Sequence, residues 1–213
     1  MEFDWTIALR YRDALLSGLL MTLQVSGLGI IGGTLLGIII ACVRAMPGLF
    51  ARRLAITYIE IVRNIPALVK IFYLYYVLGF NAMLAGLIGL SIHQSGYISD
   101  VITSGLRSIP REQTESARVL GCSYPQTFAF VLVPQLLRLT IPPMTSQYIE
   151  VVKNSSIVMF LGIAELTWQT QQIEFETARG YVAAGIATLL YLAIALSISG
   201  LMSVAAWKWR RAI

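Results

Sequence analysis

Three long stretches of this chain contain no Asp, Glu, Lys or Arg: residues 14–43, 71–99 and 180–207. Each exceeds the roughly 20 apolar residues that a helix needs to cross a bilayer core. In lipid the backbone must satisfy its own hydrogen bonds, so an apolar stretch of this length is expected to be helical. Charged residues make up 13% of the chain, against about 25% in an average soluble domain. The sequence therefore predicts an all-α integral membrane protein.

Basic residues fall into three clusters, and their positions predict a topology. Lys and Arg are enriched in cytoplasmic loops, so we expect all three clusters on the cytoplasmic side. An even number of spans must then separate neighbouring clusters, and each interval has room for two. Adding the first span gives five transmembrane helices, with the N-terminus outside and the C-terminus in the cytoplasm. The clusters are Arg44, Arg52 and Arg53; Arg107, Arg111, Arg118 and Arg138; and Lys208, Arg210 and Arg211.

The chain is expected to form one transmembrane domain over residues 1–213. Its spans are predicted near 15–43, 56–79, 82–106, 142–164 and 181–206, with a cytoplasmic loop at 107–138. Pro142 and Pro143 are expected to break the fourth span and to free backbone groups that line a pathway. No internal repeat stands out, so the pattern does not favour a secondary transporter built from inverted repeats.

The sequence predicts no catalytic residue, no metal site and no nucleic-acid interface. The single histidine, His93, lies in a predicted span without a placed acid or base beside it, so packing is its expected role. Cys42 and Cys122 are two distant thiols, which do not indicate a metal site or a disulfide framework. The net charge of +5 arises at the ends of spans rather than in one patch, so nucleic acid is not an expected partner.

Charged and polar residues inside the spans are the candidates for a substrate path. A charge at the bilayer centre costs about 3 kcal/mol on insertion scales, so such groups usually face a cavity or a partner. We weigh a polar gate or solute contact against an internal salt bridge between Glu150 and Lys153. Arg63 lies close to Glu60 in the chain, so the alternative to a solute contact at Arg63 is a structural role. The candidates are Arg63, Lys153, Asn154, Ser155 and Ser156.

A row of glycines lies in the second half of the first span, and small residues let helices approach closely. Tight packing within the subunit and a seam between two subunits both remain open for them. These residues are Gly27, Gly29, Gly32, Gly33 and Gly37.

The predicted cytoplasmic loop carries signals for two short helices. Ser108 is a potential N-cap for the first, and Gly121 is expected to end it in the left-handed conformation. Ser123, followed three residues later by Gln126, is a capping-box pattern that starts a second helix ending near Pro134. The segment is either a solvated connection that caps its neighbours or a docking elbow for a cytoplasmic protein.

Residues 115–134 resemble the loop pattern E-A-A-x-x-x-G-x(9)-I-x-L-P of ABC importer permeases. Glu115, Ala117, Gly121 and Pro134 match it in type and spacing, and Ser116 stands where Ala is usual. In that family the loop forms a coupling helix that sits in a cleft of the ATPase subunit. The resemblance therefore implies an ATPase-coupling loop in this chain.

Flanking motifs resemble the permeases for polar amino acids. Residues 63–66 (RNIP) are similar to the R-G/N-T-P stretch of that branch, and residues 153–156 and 162–166 match its later motif. Lys70 stands where the branch often has Gln. The resemblance implies the transmembrane domain of a type I ABC importer, located in the inner membrane of a bacterium and surrounded by lipid.

The same resemblance implies an assembly. A second permease subunit, identical or a sister, and two ATP-binding cassette ATPase subunits would join this chain, and an extracytoplasmic solute-binding protein would deliver a polar amino acid. We expect a solute of the glutamate/aspartate or glutamine type, moved by alternating access. No segment matches G-x-x-x-x-G-K-[ST], so ATP and Mg are expected on the partner ATPases, with no cofactor in this chain.

Two other classes of protein are weighed against the importer. An ion-coupled secondary transporter would move its solute without an ATPase and gives no reason for the polar loop. A non-transporting membrane scaffold would need no polar residues along a continuous path.

Overall fold

The computed structural model describes residues 6–211, and helices joined by short connections make up this range. Residues 1–5 and 212–213, which include both termini of the predicted topology, lie outside the described residues. Two π-helical turns, Tyr73–Val77 and Phe128–Leu132, and one 3-10 segment, Ser156–Leu161, extend neighbouring helices. The α-helices are α1 (Thr6–Arg10), α2 (Arg12–Ala45), α3 (Leu49–Asn64), α4 (Ala67–Phe72), α5 (Ala82–Arg107), α6 (Arg111–Val119), α7 (Tyr124–Thr127), α8 (Val133–Ser155), α9 (Leu166–Thr177) and α10 (Gly180–Arg211).

Three helical segments in the described range are long and apolar enough to cross a membrane: Arg12–Ala45, Tyr124–Leu161 and Gly180–Trp209. Ala67–Val77 is a shorter apolar helix. The all-α architecture predicted from the charge-free stretches is confirmed for this part of the chain.

α5 lies at the centre of the bundle and contacts α2, α3, α4 and α8. It is less apolar than α2 because its buried face carries polar side chains, among them Gln94 and Ser95. The hydroxyl of Ser95 donates to the backbone oxygen of Ile92 at 2.7 Å and pairs with the hydroxyl of Tyr58 at 2.8 Å. This helix therefore presents its polar face to the protein interior, where partners exist.

α2 packs closely on α5 through a row of glycines. A β-carbon on Gly33 would lie 2.9 Å from Cβ of Gln94, and one on Gly37 would lie 2.8 Å from Cβ of Ile98. By contrast, a β-carbon on Gly27 would meet nothing within 4 Å. The structure therefore assigns most of the row to packing within the subunit. The glycines that contact α5 are Gly29, Gly32, Gly33 and Gly37.

The single helix predicted at 56–79 is two helices in the structure. α3 ends before Ile65, which adopts extended backbone with ψ 128°, and Pro66 precedes α4 with ψ 146°. A residue before proline is pushed out of the helical region by the proline ring. The interruption places the last carbonyl groups of α3 beside the start of α4.

The expected break at Pro142 and Pro143 is wrong, because α8 runs through both residues. Prolines are tolerated in membrane helices where neighbouring helices support the backbone, and α8 packs against α5 and α10. Pro134 likewise does not end the preceding helix. It lies in the first turn of α8, directly after the π-helical turn Phe128–Leu132.

Glu165 anchors α9 to two other helices. Its fully buried carboxylate accepts hydrogen bonds from the backbone N–H groups of Thr167 and Trp168 at 2.9 and 2.8 Å. The hydroxyl of Tyr191 on α10 donates to it at 2.8 Å, and the hydroxyl of Thr22 on α2 lies at 3.4 Å. The residue therefore caps α9 and ties it to α2 and α10.

Candidate functional site

A polar cavity of about 280 Å³ lies between α5 and α8. His93 and Tyr97 line it from α5, and Ser146, Gln147 and Glu150 line it from α8. Side chains four residues apart lie on the same face of a helix, which explains why His93 lines the cavity together with Tyr97, and Ser146 together with Glu150. The wall combines a carboxylate, an amide, two hydroxyls and an imidazole. It can bind a small solute that carries both hydrogen-bond donors and acceptors.

Gln147 is held in place from behind the cavity wall. The side-chain nitrogen of Gln94 on α5 donates to the side-chain oxygen of Gln147 at 2.8 Å and to its backbone oxygen at 3.1 Å. Gln94 itself is 1% exposed. Because the oxygen of Gln147 is engaged there, its amide nitrogen is the group left to donate toward a solute.

A chain of polar contacts continues along α5 from the cavity. The rings of His93 and Tyr97 meet edge to face with centroids 5.3 Å apart, and the guanidinium of Arg63 lies 5.1 Å from the Tyr97 centroid. Arg63 forms an ion pair with Asp100, which also accepts from Arg44 Nη1 at 2.6 Å. One carboxylate therefore serves two guanidinium groups, which leaves an excess of positive charge beside the cavity.

The predicted substrate-path residues lie in different places. Arg63 joins the polar chain on α5, whereas Lys153 lies at the end of α8, with its Nζ 3.8 Å from Glu150 Oε2. The salt bridge weighed from the sequence is thus present. It brings Lys153 to a carboxylate that lines the cavity.

The following residues contact their own helix. Ser155 is fully buried, and its hydroxyl donates to the backbone oxygen of Val152 at 2.7 Å. The hydroxyl of Ser156 donates to the backbone oxygen of Lys153 at 2.7 Å, and Asn154 is partly buried. Such bonds occupy both serine hydroxyl groups where α8 passes into the 3-10 segment.

Most of the cavity wall was not among the residues selected from the sequence. His93 has a packing role in the sequence-based interpretation, yet it faces the cavity. The available signal was the spacing of His93, Tyr97 and Asp100, which share one face of a helix inside a largely charge-free region. The α8 side of the wall carries a similar pair, Ser146 and Glu150.

The turn between α6 and α7, which is the bend of the predicted elbow, is held by backbone hydrogen bonds. Gly121 has φ +88°, as expected for the residue that ends α6. Its N–H donates to the oxygen of Arg118 at 3.1 Å, and the N–H of Cys122 donates to the oxygen of Ala117 at 3.1 Å. These two bonds make a Schellman motif. Arg118 reinforces it by donating to the oxygen of Cys122 at 2.6 Å.

The second helix of the elbow starts at the predicted capping box. The backbone N–H of Ser123 donates to Gln126 Oε1 at 2.8 Å, and the N–H of Gln126 donates to Ser123 Oγ at 3.4 Å. The expected cap at Ser108 is wrong, because Pro110 holds that position and the Ser108 hydroxyl donates back to Ser104 at 2.9 Å.

The tip of the elbow is apolar and exposed. Val119 and Leu120 are 87% and 84% exposed, and Glu115 and Ser116 lie on the exposed part of α6. Ala117 is buried against the rest of the loop at 5% exposure. A hydrogen-bonded turn that exposes large apolar side chains at the protein surface is typical of a protein-docking surface.

Comparison with known proteins gives a family match over most of the chain. A family model described as the inner membrane component of binding-protein-dependent transport systems matches residues 33–210. The glutamine transport system permease protein GlnP of Escherichia coli (strain K12) is 31% identical over 206 residues, which cover 93% of this chain and 94% of that protein. The probable glutamine ABC transporter permease protein GlnP of Bacillus subtilis (strain 168) is 32% identical over 207 residues, which cover 93% and 95%.

A solved structure has the same fold. The crystal structure of an amino acid ABC transporter with histidines matches with a TM-score of 0.88 and 30% sequence identity. The match covers 98% of this chain and 100% of that chain.

Proposed function

This chain belongs to the family of binding-protein-dependent transport system inner membrane components, and we propose that it is the membrane-spanning subunit of an ATP-driven importer for polar amino acids. The family match and the all-helical fold of a type I ABC importer permease confirm the family that the sequence resemblance implied. A permease of this family is a membrane component rather than an enzyme.

The observation that carries the proposal is the polar cavity between α5 and α8. A carboxylate at Glu150 can pair with the ammonium of an amino acid, while the Gln147 amide and the cationic Lys153 can meet its carboxylate. A wall of polar groups disfavours an apolar solute, which would displace their water and leave them unpaired. We therefore place the solute site at this cavity, with Lys153 and Asn154 toward the path and Arg63 behind Tyr97. The names of the similar permeases favour a solute of the glutamine type.

The elbow supplies the proposed coupling to ATP hydrolysis. Its exposed apolar tip, around Leu120, would dock into a cytoplasmic ATPase subunit, and two such subunits would carry ATP and Mg. Closure of the ATPase pair would push the elbow, and α8 would transmit the movement to the cavity because it continues from α7 without a loop. Glu115, Ser116, Ala117, Gly121 and Pro134 are the proposed coupling residues.

The remaining parts of the assembly are also proposals. We propose five spans, with the N-terminus outside and the elbow and C-terminus in the cytoplasm of a bacterium, in its inner membrane. A second permease, identical or a sister, would complete the path. A solute-binding protein would dock on the outer side. The permease would alternate between a state open to the outside and a state open to the cytoplasm, and partners that bind one state more tightly would shift the balance between them.

Reconstitution tests the proposed function. The permease, copurified with its native partners and placed in proteoliposomes, should take up labelled glutamine only when ATP and the binding protein are supplied. Ionophores that collapse ion gradients should leave this uptake unchanged. Uptake without the ATPase that follows an ion gradient would contradict the proposal in favour of a secondary transporter, and no uptake of any amino acid would favour a scaffold.

The coupling surface has a matched pair of variants. Glu115→Lys reverses a charge on the proposed docking face and should separate ATP hydrolysis from transport while assembly in the membrane stays normal. Glu112→Lys makes the same change in the first turn of the same helix and serves as the control. Equal transport by both variants would remove Glu115 from the coupling surface.

A further inference from the structure

Lys70 on α4 has an unusual set of partners. Its Nζ lies 2.5 Å from the backbone oxygen of Val62, 2.9 Å from that of Ile65 and 2.8 Å from Nδ1 of His93. A lysine ammonium has three N–H donors and no acceptor. These three contacts therefore use every donor of the group, and none of the partners is a carboxylate.

The interruption between α3 and α4 creates this arrangement. The carbonyl groups at the end of a helix lack intrahelical partners, and the extended backbone at Ile65 turns two of them toward α4. Lys70, one turn into α4, reaches back to cap them. Two fixed backbone acceptors hold the ammonium, so its third donor has a defined direction toward His93.

Because the ammonium can only donate, Nδ1 of His93 must accept. A neutral imidazole that accepts at one ring nitrogen carries its proton on the other. The proton of His93 is therefore on Nε2, on the opposite edge of a ring that lines the cavity. A ring in this state carries one N–H donor, and Glu150 contributes a carboxylate acceptor to the same wall.

We propose that Lys70 is a positioning residue that fixes the Nε2–H tautomer of His93, so that His93 donates a hydrogen bond to a carboxylate or carbonyl oxygen of the amino acid in the cavity. The inference rests on the proposed solute site. It fixes the orientation of the solute in the cavity, because Glu150 binds the ammonium of the solute and His93 binds an acceptor oxygen. Lys70 does not itself touch the solute.

His93 is the only histidine in the chain, so nitrogen NMR of the full-length protein labelled with ¹⁵N-histidine reports this one ring. Wild-type protein should show a neutral ring with the proton on Nε2. Lys70→Gln should lose this bias, because an amide can either donate to Nδ1 or accept from it. Lys70→Arg, which only donates, should keep it, and Lys153→Gln is the matched control. An Nδ1–H tautomer or a charged ring in the wild type, or an unchanged spectrum in Lys70→Gln, would overturn the proposal.

Transport in the reconstituted complex gives the second measurement. Lys70→Gln should raise KM for glutamine about threefold to tenfold with little change in kcat, as for the loss of one hydrogen bond. His93→Leu should raise KM similarly, and the double variant should be no worse than His93→Leu, since both changes remove the same contact. Additive effects would overturn the proposal. Norvaline has an α-carboxylate but no side-chain acceptor, so its inhibition of glutamine uptake separates the two sources of the oxygen. If Lys70→Gln weakens inhibition by norvaline, His93 binds the α-carboxylate. If inhibition by norvaline is unchanged, His93 binds the side-chain carbonyl.

The two measurements separate this inference from the proposed function. The NMR spectrum requires no transport, so it tests the tautomer even if glutamine is not carried. A changed tautomer in Lys70→Gln with an unchanged KM would refute the solute contact at His93 while leaving the importer function standing.

Discussion

The carboxylate of Asp100 on α5 accepts a hydrogen bond from Arg44 at the end of α2, at 2.6 Å. Only 16% of the Arg44 side chain and 28% of the Asp100 side chain are exposed. The same carboxylate also pairs with Arg63 at the end of α3. Three helices therefore meet at one negative charge, next to the polar chain that leads to the cavity.

Asp100→Asn should destabilise this junction. Removing the negative charge leaves the poorly exposed Arg44 without its ionic partner, at a cost of about 3 kcal/mol. We expect a lower apparent Tm of the detergent-purified permease, measured by size-exclusion chromatography after heating. Asp13→Asn is the control, because Asp13 is 89% exposed in its pair with Arg12 and such surface pairs contribute little. An equal Tm for both variants would contradict the structural role of Asp100.

Gly37→Val should separate α2 from α5. A β-carbon at this position would already crowd Ile98, and overpacking of this kind costs about 1–3 kcal/mol. The same Tm measurement applies. Gly27→Val is the matched control, since its β-carbon would enter open space. If Gly27→Val lowered Tm as much as Gly37→Val, close packing on α5 would not be the reason for the glycines.

Gly121→Val should alter the elbow without unfolding the bundle. A side chain at φ +88° is strained by about 1–2 kcal/mol, so the turn between α6 and α7 should shift. We expect ATP hydrolysis to continue while glutamine uptake falls at least tenfold. Gly48→Val, at φ −82° in open space, should leave both activities normal. Coupled transport by Gly121→Val would show that the partner tolerates a different elbow.

Glu150→Gln should weaken solute binding. Loss of the charged partner for the solute ammonium should raise KM for glutamine about tenfold, which corresponds to about 1.4 kcal/mol. Glu60→Gln, on α3 and outside the cavity wall, is the control in the same uptake assay. An unchanged KM in Glu150→Gln would place the solute elsewhere.

Cysteine labelling should distinguish two neighbouring positions of α8. With Cys42 and Cys122 replaced by Ser, a cysteine at position 153 should react with a soluble thiol reagent and be protected by glutamine. A cysteine in place of the fully buried Ser155 should stay unreactive. Labelling at 153 that never depends on solute or ATP would exclude Lys153 from the path.

Local chemistry made much of the elbow predictable from the sequence. Gly121 and the pair Ser123 and Gln126 act through hydrogen bonds within a few residues, so their pattern alone was sufficient. Ser108 failed as a cap because it ends α5, and Pro110 takes the position that precedes α6. At Pro142, a local rule also failed, since packing against other helices outweighs the lost backbone donor.

The cavity could not be predicted in this way. His93 and Glu150 are far apart in the chain, and whether they share a wall depends on how α5 and α8 cross. The same holds for the contact between Lys70 and His93, which requires the interruption at Pro66 to turn α4 back toward α5.

By itself, the sequence determined that this protein is helical and suited to a membrane, since apolar length and backbone hydrogen bonding in lipid permit little else. It also determined the elbow and, through the loop motif, the family. Only the tertiary structure decided which polar residues meet: the glycines of α2 against α5, Asp100 between two arginines, and His93 across from Glu150. These contacts join distant segments, and the packing of side chains between helices selects them.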